Sequence, residues 1–132
     1  ANSSNPFVAN FIGMTNFIEG QVLDKDSIKV DNQQIAINSH SHKKGAKVII
    51  AARPEYVQLA EKNSSNTFVG RVVDVEFLGS FLRIHLETSI MPDQPLIADK
   101  PMIDNFSKSV AIGDNLNFTL SPNHLNVYEC DN

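Results

Sequence analysis

The 132-residue sequence predicts an all-β fold, either a small barrel or two fused half-barrels. Short apolar runs recur along the chain, and turn residues such as Gly, Pro, Asn and Asp separate them, which is typical of small barrels. One hairpin, between Val69 and Leu86, shows its own register. After Gly13 no further segment has the apolar spacing of a convincing helix.

The first segment predicts a short helix over residues 1–13. Ser3-Ser4-Asn5-Pro6 is a helix start, because a capping side chain is followed by Pro in the first turn. Apolar residues then follow at helical spacing, and Gly13 ends the helix: Phe7, Val8, Phe11 and Ile12. Two turns are marginal alone, so we expect this apolar face to dock on something.

The next segments predict five strands. Alternating apolar residues or polar turns delimit them: Phe17–Leu23, Ser27–Val30, Gln34–Asn38, Lys47–Ala52 and Tyr56–Leu59. Lys47–Ala52 is apolar enough to be buried on both faces. Arg53-Pro54-Glu55 breaks it, because proline cannot donate to a ladder.

The hairpin turns at Gly79-Ser80, where glycine at the first central position favours a type II′ turn. That turn pairs Phe77 with Leu82, Glu76 with Arg83, Val75 with Ile84, Asp74 with His85 and Val73 with Leu86. Apolar residues then meet apolar ones, and both acids meet a basic partner. The register predicts that one face lies in the core: Val73, Val75, Phe77, Leu82, Ile84 and Leu86.

The remaining residues predict a polar connector at Glu61–Asn66 and a turn at Met91–Pro95. Short strands follow at Leu96–Ala98, Leu116–Leu120 and Leu125–Tyr128, with a loose segment over Lys100–Ile112. A weak repeat links the halves: Gly20-Gln21-Val22 matches Gly70-Arg71-Val72, and Gly45 precedes Pro54 at the same spacing as Gly113 precedes Pro122. The repeat predicts half-modules over about 14–62 and 66–132.

Composition narrows the function classes. The net charge of −4 argues against a nucleic-acid partner, because phosphate binding needs a basic face. The longest apolar run, Val48–Ala52, is far too short to span a membrane. Cys130 is the only cysteine, so no intrachain disulfide forms. The chain lacks an initiator Met, and we expect it to be a fragment or a processed product.

The sequence contains no recognised phosphate-binding loop, nucleophile elbow or zinc-protease motif, so no catalytic residue, cofactor or metal ligand is predicted. His40 and His42 could ligate a metal, but Lys43 and Lys44 follow them, and an exposed loop is the favoured interpretation. Arg53 and Glu55 flank a rigid proline after the most apolar strand. They either end the strand or present both charges to a partner surface or a small charged ligand.

The order of these motifs resembles the C-terminal TOBE-type regulatory domain of the ATP-binding subunits of ABC importers. Residues 5–13, with Asn16, Phe17 and Gly20, resemble the junction after the ATPase domain, and 52–55 resembles an Arg-Pro-Glu signature. Gly70-Arg71-Val72, Phe77-Leu78-Gly79, Gly113-Asp114 and residues 125–128 continue the pattern. The His40/His42 loop and the segment Ile90–Ser109 match no family motif.

The resemblance implies an OB-like or MOP-like β-barrel over 14–132, with residues 1–13 as a linker helix from an upstream ATPase domain. It implies a non-catalytic domain that pairs two ATPase subunits, with ATP and Mg²⁺ bound on the upstream domain. The implied partners are a second copy of the chain, that ATPase domain and, indirectly, membrane permease subunits; the implied location is cytoplasmic, at the membrane. Candidate contact residues are Arg53, Glu55, Phe7, Phe11 and Ile12.

Two alternatives stay open at this point. Related barrels resemble molybdate-binding modules, so a stand-alone binder of small oxyanions is one of them. The other is a single-strand nucleic-acid binder, because OB-folds do that work, although the acidic balance and the lack of Trp count against it.

Overall fold

The strands of this protein alternate with tight turns throughout the part of the chain that the structure, a computed structural model, describes: residues 13–59, 66–102 and 110–130. Ten strands account for most of these residues: β1 (Asn16–Asp24), β2 (Ser27–Val30), β3 (Gln33–Ala36), β4 (Lys47–Ala52), β5 (Val57–Leu59), β6 (Thr67–Phe77), β7 (Phe81–Thr88), β8 (Met91–Pro101), β9 (Asn115–Leu120) and β10 (Leu125–Glu129). The predicted all-β class is confirmed. The predicted N-terminal helix lies outside the described residues.

The strands form two five-stranded antiparallel sheets. The first sheet has the order β10-β4-β1-β2-β3, and the second has the order β5-β9-β6-β7-β8. Each sheet therefore takes four strands from one half of the chain and one strand from the other half. The half-modules at about 14–62 and 66–132 stay a prediction, but strands β5 and β10 cross between them.

The crossing occurs at two short 3-10 turns, which we call the first proline turn (Pro54–Tyr56) and the second proline turn (Pro122–His124). In each case the strand before the turn lies in one sheet and the strand after it lies in the other. The two crossings pair with one another. Ala52, the last residue of β4, lies opposite Leu125, the first residue of β10. Val57, the first residue of β5, lies opposite Leu120, the last residue of β9.

Strand β4 occupies the position that its composition predicts. It pairs with β1 on one side and β10 on the other. Every residue from Val48 to Ala52 is buried, because each face of the strand is covered. The first and second sheets share a single apolar core. The largest fully buried side chain of this core is Phe118 in β9.

Two asparagines join the sheets through their side-chain amides. Asn16, at the start of β1, donates from Nδ2 to the carbonyl of Ile97 in β8 (2.9 Å) and accepts the Ile97 N–H at Oδ1 (2.8 Å). Asn66, just before β6, makes the same pair of bonds with Ala36 in β3, both at 2.8 Å. We call these contacts the asparagine clamps. Each one satisfies both polar groups of a single residue on the edge strand of the opposite sheet.

The β6–β7 hairpin confirms most of the predicted register. Gly79 has φ +78°, and the pairs of Asp74, Val75, Glu76 and Phe77 with His85, Ile84, Arg83 and Leu82 are those predicted. The predicted pairing of Val73 with Leu86 is wrong. Val72 lies opposite Leu86, because a β-bulge at Val73 inserts one extra residue between Val72 and Asp74.

The bulge also changes which residues reach the core. Leu82, Ile84 and Leu86 are fully buried as predicted. Val73 and Val75 are only partly buried, and Phe77 is 68% exposed, so the core assignment of Phe77 is wrong. Leu78, the next residue towards the tip of the hairpin, is exposed as well.

The predicted turn at Met91–Pro95 is also wrong. Thr88 pairs with Met91, so the turn lies at Ser89-Ile90. Strand β8 then continues to Pro101, but its pairing with β7 is irregular between Met91 and Leu96, the stretch that contains Pro92 and Pro95. Strand β8 is at the edge of the second sheet. An edge position tolerates Pro92 and Pro95, because a proline nitrogen facing away from the ladder loses no hydrogen bond.

The Gly-x-Val segments occupy matching positions in the two sheets. The N–H of Val22 donates to the carbonyl of Ala46, and the carbonyl of Val22 accepts the N–H of Gly45. In the second sheet, the N–H of Val72 donates to the carbonyl of Asp114, and the carbonyl of Val72 accepts the N–H of Gly113. Gly20 also lies where the chain has no room for a side chain. A Cβ there would be 2.6 Å from Cγ2 of Ile28 and 3.0 Å from the carbonyl of Lys29.

We expect Asn16→Ala to lower the free energy of unfolding by about 2–3 kcal/mol, since it leaves the buried Ile97 N–H and carbonyl without partners. Urea unfolding monitored by circular dichroism measures this change. Asn126→Ala, at an exposed position of β10, is the control and should stay within about 0.5 kcal/mol of wild type. Equal stability of the two variants would contradict a clamp at Asn16.

We expect Gly20→Ala to lower the free energy of unfolding by about 1–3 kcal/mol, because the added methyl overlaps Ile28 and the β2 backbone. The same urea titration measures it. Lys29→Ala, an exposed change on the adjacent strand, serves as the control. A Gly20→Ala protein as stable as wild type would show that β1 and β2 separate easily at this point.

Candidate functional site

The first proline turn presents the two charges that the sequence singled out. Proline restricts the residue before it to extended backbone, and Arg53 has φ −75° and ψ 143°. The N–H of Tyr56 then donates to the Arg53 carbonyl at 3.0 Å and closes the turn. Arg53 and Glu55 therefore project from a short rigid segment that lies against β8.

Arg53 and Glu55 bind each other. Nε of Arg53 donates to Oε2 of Glu55 at 3.0 Å, and the side chains are 50% and 49% exposed. Partial burial raises the pKa of Glu55, but its backbone N–H and the Arg53 guanidinium outweigh burial and hold the pKa below its usual value. Glu55 is therefore a carboxylate at neutral pH. An exposed pair adds only about 0–1 kcal/mol to stability, so the charges remain available to a partner.

The fold adds an aromatic pair that the sequence analysis missed. The rings of Tyr56 and His124 stack with centroids 3.9 Å apart and an interplanar angle of 6°. Each is the last residue of its proline turn, so the internal repeat was the signal that could have paired them. We call Arg53, Glu55, Tyr56 and His124 the crossover surface, because they lie where strands pass between sheets.

Phe7, Phe11 and Ile12 lie outside the described residues, so their role as a contact face stays a prediction.

The His40/His42 loop is anchored to the strands. Nε2 of His40 contacts the Asp24 carbonyl at 2.9 Å, and its Nδ1 accepts the His42 N–H at 2.9 Å. The ring nitrogens of His42 contact Glu129 Oε1 at 3.3 Å and the Val127 carbonyl at 3.2 Å, both in β10. The two histidines therefore fix this loop to the first sheet, His40 at the end of β1 and His42 along the edge strand β10.

The solvent face of the hairpin has different ion pairs from those predicted. Arg83 binds Asp99 in β8 with two bonds of 2.9 and 3.0 Å, and that hydrogen bonding raises its pKa. Glu76 instead contacts His85, with Oε2 2.5 Å from Nε2. Asp74 accepts the Val75 N–H at 2.9 Å. The Glu76–Arg83 and Asp74–His85 ion pairs are therefore wrong in their partners, because a third strand brings Asp99 to Arg83.

Two open concavities lie on the outer faces of the sheets. One of about 620 Å³ lies beside Gly70, between the Arg71–Glu87 ion pair and the β7–β8 turn. The other, of about 370 Å³, lies beside Gly20 and is lined by Glu19, Lys29 and Lys47 among others. Neither of these two concavities is lined by Arg53 or Glu55.

Within the described ranges, no helix is both long and apolar enough to cross a membrane.

Comparison with known proteins supports both the fold and the motif order. The family model described as "TOBE domain" matches residues 50–127, which include both proline turns and the hairpin. A solved structure of the cytoplasmic molybdate-binding protein ModG, with molybdate bound, superimposes with a TM-score of 0.73 at 12% identity. The superposition covers 88% of this chain and 96% of that one, and it supports the OB-like fold.

The curated relatives are import ATP-binding proteins by name. The chain is 25% identical over 123 residues to the spermidine/putrescine import ATP-binding protein PotA of Clostridium acetobutylicum, covering 93% of the chain and 32% of the relative. It is 30% identical over 105 residues to the Fe(3+) ions import ATP-binding protein FbpC 2 of Rhizobium meliloti, covering 70% and 27%. The chain thus spans about a third of the length of these relatives. Because the family model covers more than half of the sequence and both proline turns lie within it, the chain belongs to the TOBE domain family.

Proposed function

We propose that the chain is a regulatory and dimerisation domain in the ATP-binding subunit of an ABC-type importer. One observation carries the proposal: import ATP-binding proteins align with almost the whole chain while the chain covers about a third of their length. The domain is non-catalytic in this proposal, and ATP and Mg²⁺ bind elsewhere in the subunit. The subunit works on the cytoplasmic side and reaches the membrane through its permease partners.

The transported solute belongs to the whole importer and not to this domain. Relatives of comparable similarity are named for spermidine/putrescine and for Fe(3+), so one TOBE-type domain accompanies chemically different cargoes. We propose a solute of the polyamine, iron or a similar class. The function of the domain itself is then independent of the cargo, since assembly needs a surface and not a solute pocket.

We place the contact with a second copy at the crossover surface. Its charges are held by a proline turn, so little conformational entropy is lost when a partner binds them. The guanidinium of Arg53 uses Nε on Glu55, which leaves its terminal nitrogens for a carboxylate or a backbone carbonyl of the partner. The stacked Tyr56 and His124 rings supply flat, partly apolar area beside the charges.

The charge swap Arg53→Glu/Glu55→Arg tests this placement. It keeps an ion pair within the turn but reverses the charges that a partner meets. We expect the wild-type chain to dimerise at high concentration and the swap to raise the dimer dissociation constant by about tenfold, equal to ~1.4 kcal/mol. Sedimentation equilibrium of both proteins measures the constants.

The matched control is Arg71→Glu/Glu87→Arg. This pair is also exposed, at 51% and 66%, and joins β6 to β7 away from the proline turns. Its dissociation constant should equal that of wild type. A strictly monomeric wild-type chain, together with unchanged pairing of the full-length ATPase after deletion of this domain, would exclude the dimerisation role. A swap that leaves dimerisation unchanged would exclude the crossover surface alone.

A second candidate function is binding of a small oxyanion, and the likeness to ModG is the observation that favours it. Calorimetry with molybdate, tungstate and sulfate separates the two functions. The leading proposal predicts no saturable heat with any of the three anions. Saturable binding of molybdate by the 132-residue chain would instead establish the oxyanion function.

A further inference from the structure

The solvent face of the β6–β7 hairpin brings three metal-binding side chains together. Asp74 and Glu76 alternate along β6 and so share one face, and His85 lies directly opposite Asp74 on β7. One ligand atom from each of the three side chains lies within 4.8 Å of the other two. We propose that Asp74, Glu76 and His85 bind one divalent first-row transition-metal ion, with Zn²⁺ as the best fit.

The donor atoms select the class of metal. An imidazole nitrogen with two carboxylates suits Zn²⁺ and its neighbours, whereas Mg²⁺ and Ca²⁺ prefer oxygen ligands alone. Three protein ligands leave the remaining positions to water, as in open zinc sites. The proposed ion is therefore accessible and exchangeable.

The charges around the cluster favour a dication. Arg83 is the nearby cation, and its guanidinium is occupied by the two bonds to Asp99. When His85 binds a metal as a neutral imidazole, the carboxylates of Asp74, Glu76 and Asp99 against that guanidinium leave two uncompensated negative charges. A bound Zn²⁺ neutralises them, because its charge equals the excess.

The geometry requires only small movements. Zinc–ligand distances of about 2.0–2.2 Å place tetrahedral ligand atoms roughly 3.4 Å apart. Nε2 of His85 and Oε2 of Glu76, at 2.5 Å, must therefore separate by about 1 Å, and the ligand atoms within 4.8 Å of one another must otherwise close on the ion. Asp74 and Glu76 are on the solvent side of the ribbon, where their torsions are free to adjust. The Val75 N–H holds Asp74 Oδ1, which orients Oδ2 as the ligand atom. Binding replaces the direct contact between His85 Nε2 and Glu76 Oε2 with two bonds to the metal.

Calorimetric titration of the 132-residue chain with ZnCl₂, in a buffer that does not bind zinc, tests the proposal. We expect one equivalent of Zn²⁺ to bind and neither MgCl₂ nor CaCl₂ to give saturable heat. His85→Ala and Glu76→Gln should each weaken zinc binding by about tenfold or more. Their urea unfolding midpoints are measured alongside to confirm that both variants are folded, because the side chains of His85 and Glu76 are partly buried, at 22% and 42% exposure.

His42→Ala is the matched control, because His42 also contacts a glutamate, Glu129, but has no second carboxylate within the cluster geometry. Zinc affinity should be unchanged in this variant, and the dimerisation described above should be unchanged in all of them. The proposal is overturned if wild type shows no saturable zinc binding, or if His85→Ala binds as wild type does. Loss of binding in His42→Ala to the same extent as in His85→Ala would also overturn it.

Discussion

The amides of Asn16 and Asn66 hold together two sheets that are already interlocked by exchanged strands. Each amide acts as donor and acceptor for one residue on an edge strand of the opposite sheet. An edge strand exposes unpaired backbone groups that must find partners when they are buried. The clamps supply these partners, while β5 and β10 complete the sheets of the opposite halves. Each half therefore depends on the other for a closed core.

This interlocking determines where the candidate assembly surface lies. The chain leaves each sheet at a proline turn, and the two turns meet, as the Ala52–Leu125 and Val57–Leu120 pairs show. Tyr56 and His124 stack as a result, and the Arg53–Glu55 pair is held beside them. The charges are thus presented by a short turn whose backbone is restricted by proline.

The hairpin, in contrast, has exposed apolar residues towards its tip. Its inner face near β9 is buried, but the bulge at Val73 and the length of the ribbon leave Phe77 exposed and the acidic face of Asp74 and Glu76 in solvent. The proposed metal cluster and the proposed dimer contact are therefore separate features of one scaffold. Function in such a fold depends on sites added to it, and the two can be tested independently.

Local chemistry in the sequence was sufficient for the approximate positions of the strands other than β8, the Gly79 turn, four cross-strand pairs of the hairpin and both proline breaks. These features depend on neighbouring residues: glycine tolerates positive φ, proline cannot donate, and alternation selects a face. The order of motifs also identified the family. For the candidate site, the sequence predicted that Arg53 and Glu55 flank a rigid proline. Only the tertiary structure decided the exchange of β5 and β10, the Val73 bulge, the extended course of Pro92 and Pro95, the Arg83–Asp99 pair and the Tyr56–His124 stack. Each of these joins residues from separate strands or turns, and which strand becomes an edge or a neighbour depends on how the whole core closes.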